Sequence, residues 1–499
     1  MRRARPLAAL ALVLATGLST LTGVTTATAE APDGRPDAER AGAQDSSALL
    51  APGTVTAARS LAAARSALAG DGRDATEALR QLRMARPALA PADRAAAGRL
   101  LARPAQDRKK CTVVCVHWRT SGRHRASASW ARKVLATASS VHRTFVGAGY
   151  RAPKRDGRAG GNAKTDIYVQ DLAGGLYGYC TSDQRTRAED VWAFCVVDND
   201  YRGFPTGTPL QNLQVTVGHE YFHAVQFGYD SYEDQWLLEG TAAWVEDELF
   251  DDVDDNRQYL AASPLSDPAR PMDRGGDDGF HYGTWLFFRH LSERLDQRAG
   301  TLPTVVRDIW RQADARAGAP DLSSVDAVAA VLEDRGTRFP VAFAQFATGN
   351  RRPAQAYDEG SAAEYRPAPL ARSATAATGG AAVSWRTELA HLSSATLEVR
   401  TQPSATGVRV EVDLPAGGAT RAVATLVGTD GAAESRLVEL GASGNGAVTA
   451  SFRAGTVASV EVTVANADIR YECWKRTDYA CQGTPLGDGQ ATAVRVSAS

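Results

Sequence analysis

Val217-Gly-His219-Glu220-Tyr-Phe-His223-Ala-Val-Gln226 contains the pattern H-E-x-x-H. Trp236-Leu-Leu-Glu239-Gly-Thr-Ala-Ala-Trp244-Val-Glu246 follows a short way on. Both runs carry apolar residues at helical spacing. On a helix, residues four apart share one face, one turn apart, so His219 and His223 point the same way. That spacing suits two ligands of one tetrahedral zinc ion. Glu220, next to the first histidine, is placed to act on a water held there.

A catalytic zinc needs a third protein ligand and an open fourth position. Glu239, Asp230, Glu233 and Asp234 are the candidates in reach, and Glu239 is the best of them. It is the single acid in an apolar helical run, and a carboxylate buried there must be paired or metal-bound, because its desolvation is costly. Glu246 lies two turns further along roughly the same face. It is placed to accept a hydrogen bond from the outer nitrogen of a zinc-binding histidine and so to fix its tautomer. The alternative for Glu246 is a surface acid in the run Glu246-Asp-Glu248.

The rest of the chain sets the compartment and the boundaries. The 499 residues are enough for more than one domain, and the formal net charge of -1 gives no reason to expect nucleic acid or an anionic membrane as partner. Residues 1–29 read as a signal peptide. Arg2, Arg3 and Arg5 precede an apolar run, and Ala27-Thr28-Ala29 is a small-residue cleavage pattern. No later stretch is long and apolar enough to span a bilayer, so no membrane span is expected after cleavage. The six cysteines fall in three local pairs, Cys111/Cys115, Cys180/Cys195 and Cys473/Cys481. No C-x-x-C occurs, so disulfides in an oxidising compartment are expected rather than a cysteine metal site.

Residues 30–105 start polar and then show leucines at helical spacing, broken at Gly70-Asp-Gly72, Pro87 and Pro91 into about three helices. Asp74 and Asp93 read as favourable charges at helix N-termini. The segment is either a pro-region or the first helices of the mature protein. Residues 106–350 form an α+β catalytic domain, with strand patterns before the motif helix and helical patterns after it. This order resembles that of zincins, in which a sheet backs the active-site helix and its edge strand pairs with an extended substrate. The acidic run Asp251–Asp255 lacks the spacing and glycine of a calcium loop and reads as solvated. Residues 351–378 read as a linker. From 379 to 499 the period changes to two, with about seven short strands separated by glycine-containing turns, the pattern of a β-sandwich. An unknown extracellular ligand is a candidate partner of this domain.

His219-Glu220-x-x-His223 followed by Glu239-Gly-Thr-Ala resembles the gluzincin class of zinc metallopeptidases, and the chain is similar to uncharacterised secreted bacterial metalloproteases. The likeness covers residues 217–250 closely and the rest of 111–350 only in layout. It implies a zincin-like fold, one catalytic Zn2+ on His219, His223 and Glu239, and Glu220 as the base that takes a proton from water and passes it to the leaving amine. In this class a Tyr or His from a later element steadies the oxyanion. Tyr282 fits that role, with His281 as its rival. Trp-Leu-x-Glu-Gly is also similar to the aminopeptidase branch. However, the gap from His223 to Glu239 is shorter here, and no G-x-M-E-N sequence is present to hold a free amine. The expectation is therefore a secreted endopeptidase acting on proteins or peptides. An aminopeptidase is the alternative, as is a non-catalytic secreted binding or adhesion protein on the same scaffold. His117, His124, His142, His290 and His391 show no partner pattern and read as packing or surface residues.

Overall fold

The computed structural model describes residues 54–499, apart from 71, 173, 185–187 and 296. The segment 1–29 lies outside the described residues. Among those described, no helix is long and apolar enough to cross a membrane.

The described residues begin with three helices, Thr54–Leu68, Thr76–Ala85 and Pro91–Leu100, broken at the glycines and prolines noted above. A five-stranded sheet follows. Its strands are β1 Arg108–Cys111, β2 Cys115–Trp118, β3 Asp166–Gln170, β4 Gly178–Thr181 and β5 Phe194–Asp198, in the spatial order β1-β2-β3-β5-β4. β2, β3 and β5 are parallel, while β4 lies antiparallel on the edge beside β5. Cys180 and Cys195 face each other across β4 and β5 and are disulfide-bonded, as are Cys111 with Cys115 and Cys473 with Cys481.

Strand side chains alternate between faces, so the sheet has two covers. Ile167, Val169, Cys195 and Val197 point to one side, into a core shared with helix Ala128–Gly147 and the motif helix. Tyr168, Tyr179, Phe194 and Val196 point to the other side, where Leu61, Leu79, Leu82, Leu89 and Leu101 of the N-terminal helices cover them. Arg103 fastens the end of that cover through Asp156, Asp166 and Asp183, at 2.8, 2.5 and 2.8 Å.

The motif helix runs from Pro209 to Phe227. Thr208 caps it: its hydroxyl accepts from the Gln211 amide, and the Gln211 side chain accepts from the Thr208 amide in return. Pro209 stands in the first turn, where its missing N–H is harmless. Helix Gln235–Leu249 packs against the motif helix, and every residue from Trp236 to Glu248 is buried. Buried on all sides, the two helices form the centre of the domain. The apolar run from Phe280 forms a short turn, Phe280–Gly283, and then helix Trp285–Leu295, with the break at Thr284.

Two expectations about the boundaries are corrected. The 351–378 stretch is not a free linker. Tyr357, Tyr365 and Ala368 are buried in the helical core, and Arg372–Ala376 is already a strand, paired in parallel with Ser393–Thr401. A further strand, Val383–Leu389, precedes the seven expected ones. The C-terminal strands form a five-stranded and a four-stranded sheet. Leu397, Val399, Val460 and Val462 of one share a core with Val408, Val410, Val494 and Val496 of the other. The chain therefore has mixed α and β structure with a β-rich C-terminal region.

This region is fastened to the helical part. Arg351 and Arg352 reach Glu461 at 3.1 and 3.0 Å. His391 is fully buried between Asp273 (Nε2, 3.0 Å) and Asp488 (Nδ1, 3.1 Å). Burial works against a charge on His391, but the two carboxylates outweigh it and raise its pKa above the ordinary 6.5. A raised folded-state pKa gives stability that is complete below the unfolded value and lost as pH rises through the folded one. Urea unfolding should therefore show the chain losing stability as pH climbs above about 6.5. His391→Gln should be less stable in acid and should lose that part of the slope. An unchanged slope would refute the assignment.

Candidate metal centre

The two central helices bring His219, His223, Glu239 and Glu246 together as their spacing predicts. The imidazole rings of His219 and His223 lie edge to face, centroids 4.7 Å apart. Glu239 Oε2 is 3.2 Å from His219 Nε2 and 3.4 Å from His223 Nε2. Glu246 Oε1 lies 2.7 Å from His219 Nδ1, which fixes the ring with Nε2 facing Glu239. The other candidates for the third ligand are elsewhere. Asp230 Oδ1 accepts from the Tyr232 amide, Glu233 Oε2 from the Asp234 amide, and Asp234 Oδ2 from the Cys481 amide.

Two features were not foreseen. Gln226 does for His223 what Glu246 does for His219. Its Oε1 is 2.7 Å from His223 Nδ1, and its amide nitrogen donates to the Leu238 carbonyl and the Thr241 hydroxyl, which locks the side chain. Asp74, from the N-terminal segment, joins the centre as a fourth donor. One donor atom from each of Asp74, His219, His223 and Glu239 can be chosen so that all four lie within 4.8 Å of one another.

This donor set fits a cation better than it fits itself. His223 is fully buried and Glu239 is 1% exposed. Yet His223 Nε2, Glu239 Oε1 and Asp74 Oδ2 are buried without a hydrogen-bond partner. Orphaned polar atoms of this kind are rare and costly in folded proteins. Two imidazoles and carboxylates, with no thiolate among them, are nitrogen and oxygen donors of the kind that hold a divalent metal ion.

The charges are strongly interdependent. Burial opposes protonation of His219, but Glu239 and Glu246 outweigh it and raise its pKa well above the ordinary value. Burial likewise pushes Glu239 up, but His223 and His219 more than offset it and hold its carboxyl low. Glu220 is raised, first by burial and then by the neighbouring Asp74.

Glycines set the approach of the surrounding elements. A Cβ on Gly178 would come within 2.7 Å of Thr216 Cγ2 and 3.0 Å of Glu220 Cγ, so glycine lets edge strand β4 lie against Glu220. A Cβ on Gly240 would come within 2.2 Å of Thr284 Oγ1, which explains why glycine follows Glu239 where the Phe280–Gly283 turn crosses. That turn brings Tyr282 to the centre. Its ring lies 6.0 Å from that of His219 and stacks on Tyr259 at 4.9 Å. Burial and the nearby Glu239 and Asp74 raise its pKa well above 10, so the phenol keeps its proton and remains a donor. His281 is turned toward Gln235, with Nε2 at 3.4 Å from its side-chain nitrogen. Of the histidines read as packing residues, His117 pairs with Asp166 at 2.7 Å and His142 with the Tyr221 hydroxyl at 2.6 Å.

No protein-family model matches the chain, and no curated protein matches it. Among solved structures, it resembles PliG from Aeromonas hydrophila, a periplasmic inhibitor of g-type lysozyme. Identity is 9% over 26% of this chain and 98% of that one, with a TM-score of 0.15. A mutant of the Escherichia coli PliG is similar at 12% identity over 26% and 98%, TM-score 0.15. CorA, a surface-associated copper-binding protein of Methylomicrobium album BG8, is similar at 10% over 26% and 100%, TM-score 0.16. Scores this low carry no argument about this chain.

Because Gln226 and Glu246 hold the two imidazoles by their outer nitrogens, Gln226→Leu and Glu246→Leu should each weaken binding of a divalent metal ion at this centre by about 10–100-fold. Competition against a chromogenic chelator measures this. Unchanged affinity in both variants would contradict the positioning role.

Proposed function

We propose that the chain is a secreted zinc-dependent peptidase that cleaves internal bonds of proteins or peptides. The observation that carries this reading is the convergence of His219, His223 and Glu239, with buried unpartnered donor atoms, beside the carboxylate of Glu220. The three disulfides support a site of action outside the cytoplasm. The order of sheet, edge strand and motif helix supports a zincin-like arrangement.

His219, His223 and Glu239 would hold a zinc ion, which would supply Lewis acidity toward a water and a carbonyl. Glu246 and Gln226 keep both Nε2 atoms turned toward the centre, so the ligands are ordered before substrate arrives. Glu220 takes the proton of the attacking water and delivers it to the leaving amine. The Tyr282 hydroxyl, protonated and on the neighbouring turn, donates to the oxyanion as charge develops. Edge strand β4, whose outer side is taken by Arg73 and Asp74, is the strand on which an extended peptide would pair.

Glu220→Gln keeps the shape of the side chain and removes the base. It should retain one zinc per chain by elemental analysis and lose cleavage of unfolded casein by about 10²–10⁴-fold. Tyr282→Phe should lower kcat by about 10²–10³-fold with KM little changed. Where the parent chain cleaves casein, cleavage by Glu220→Gln at the same rate would rule the mechanism out.

A further inference from the structure

Asp74 belongs to the N-terminal helical segment, yet it lies at the candidate metal centre. Its carboxylate is held in place on one side only. Oδ1 accepts from the Thr76 amide at 2.8 Å and the Thr76 hydroxyl at 2.7 Å. Oδ2 is buried with no partner. A half-satisfied carboxylate beside the orphaned His223 Nε2 and Glu239 Oε1 is placed as a ligand is placed.

The flanking residues engage the other working parts of the same site. The Thr76 hydroxyl also contacts Glu220 Oε2 at 3.1 Å and accepts from the Cys180 amide at 2.8 Å. The Tyr177 amide donates to the Arg73 carbonyl at 2.8 Å, and Asp74 forms a parallel bridge with Gly178. Residues 73–76 therefore lie along the β4 edge that an extended substrate needs. Anchors on both sides hold them there. Arg73 pairs with Asp255 at 2.5 Å and lies 3.9 Å over the Tyr177 ring, while Arg80 donates to the Ser231 carbonyl at 3.0 Å.

We infer that residues 73–76 are a built-in blocking segment, with Asp74 as a fourth ligand that closes the metal centre, Thr76 occupying Glu220, and the backbone occupying edge strand β4. The inference rests on the zinc reading of the centre. The full chain is then a latent form, and it opens when this segment leaves the edge strand. The apolar cover that the N-terminal helices give the sheet, together with the Arg103 clasp, makes spontaneous departure costly. Opening therefore calls for cleavage within the N-terminal segment or for displacement by a ligand that competes for β4.

The test uses the full chain loaded with cobalt(II) in place of zinc, as wild type, Asp74→Ala and Asp74→Asn. Asp74→Asn keeps an oxygen for the Thr76 hydrogen bonds but is a poor ligand, so it reports even if Asp74→Ala folds badly. Visible absorption reads the coordination, and added azide reads whether a position is open. Cleavage of unfolded casein by the zinc-loaded chains is measured in parallel. Both variants should change the cobalt spectrum. Azide should shift the variants' spectra but not the wild type's, and casein cleavage should rise by about tenfold or more only after the chains are nicked in the N-terminal segment by trypsin that is then inhibited.

If azide distinguishes the variants from wild type but none of the chains cleaves casein even after the N-terminal segment is nicked, the closing role of Asp74 stands and the peptidase reading fails. If spectra and azide response are identical in all three, Asp74 is not a ligand and the inference is overturned, whatever the casein result. A chain that takes up no cobalt overturns both.

Discussion

The structure depends on one constraint: four polar side chains, His219, Glu220, His223 and Glu239, are buried together in two packed helices. Water cannot reach them to offset their desolvation, so each must find a partner inside the protein. Glu246 and Gln226 satisfy the outer imidazole nitrogens, and the inner atoms turn toward one another around a common point. A cation at that point removes what would otherwise be an expensive cluster. The same constraint explains the glycines on either side, since Gly178 and Gly240 let a strand and a turn approach closely enough to shut out solvent.

Much of this was legible in the sequence, because its signals are local. The spacing of His219 and His223 and the lone acid Glu239 identify the ligand face. Glu246 follows from one further helical repeat. The C-terminal strands declare themselves by alternation, as in Gly407–Asp413, and the cysteines pair with their nearest neighbours. Gln226 was equally readable, three residues after His223 in an apolar helix. Its signal is a neutral amide where the pattern asks for an apolar residue.

What the sequence hid is long-range or weakly patterned. Asp74 looks like an ordinary charge ahead of a helix, and it does bind the Thr76 amide there. Only the fold brings it to His223. Arg372–Ala376 has no apolar alternation, because it is a largely exposed strand at the edge of its sheet. The 351–378 stretch has a linker's composition, but Tyr357 and Tyr365 tie it to the core. The N-terminal helices gave no sign of which surface they cover, since their leucines fit any apolar face. In the fold they complete the sheet and carry Asp74 into the centre, so structural support and closure of the site come from one segment.

Anomalous diffraction at the zinc edge, from crystals of the full chain grown with zinc, tests the central claim most directly. The account predicts one strong peak per chain bonded to His219 Nε2, His223 Nε2 and a Glu239 oxygen, with metal–nitrogen distances of about 2.0–2.1 Å. No peak there, or a zinc held by other residues while this cluster stays metal-free, would contradict it.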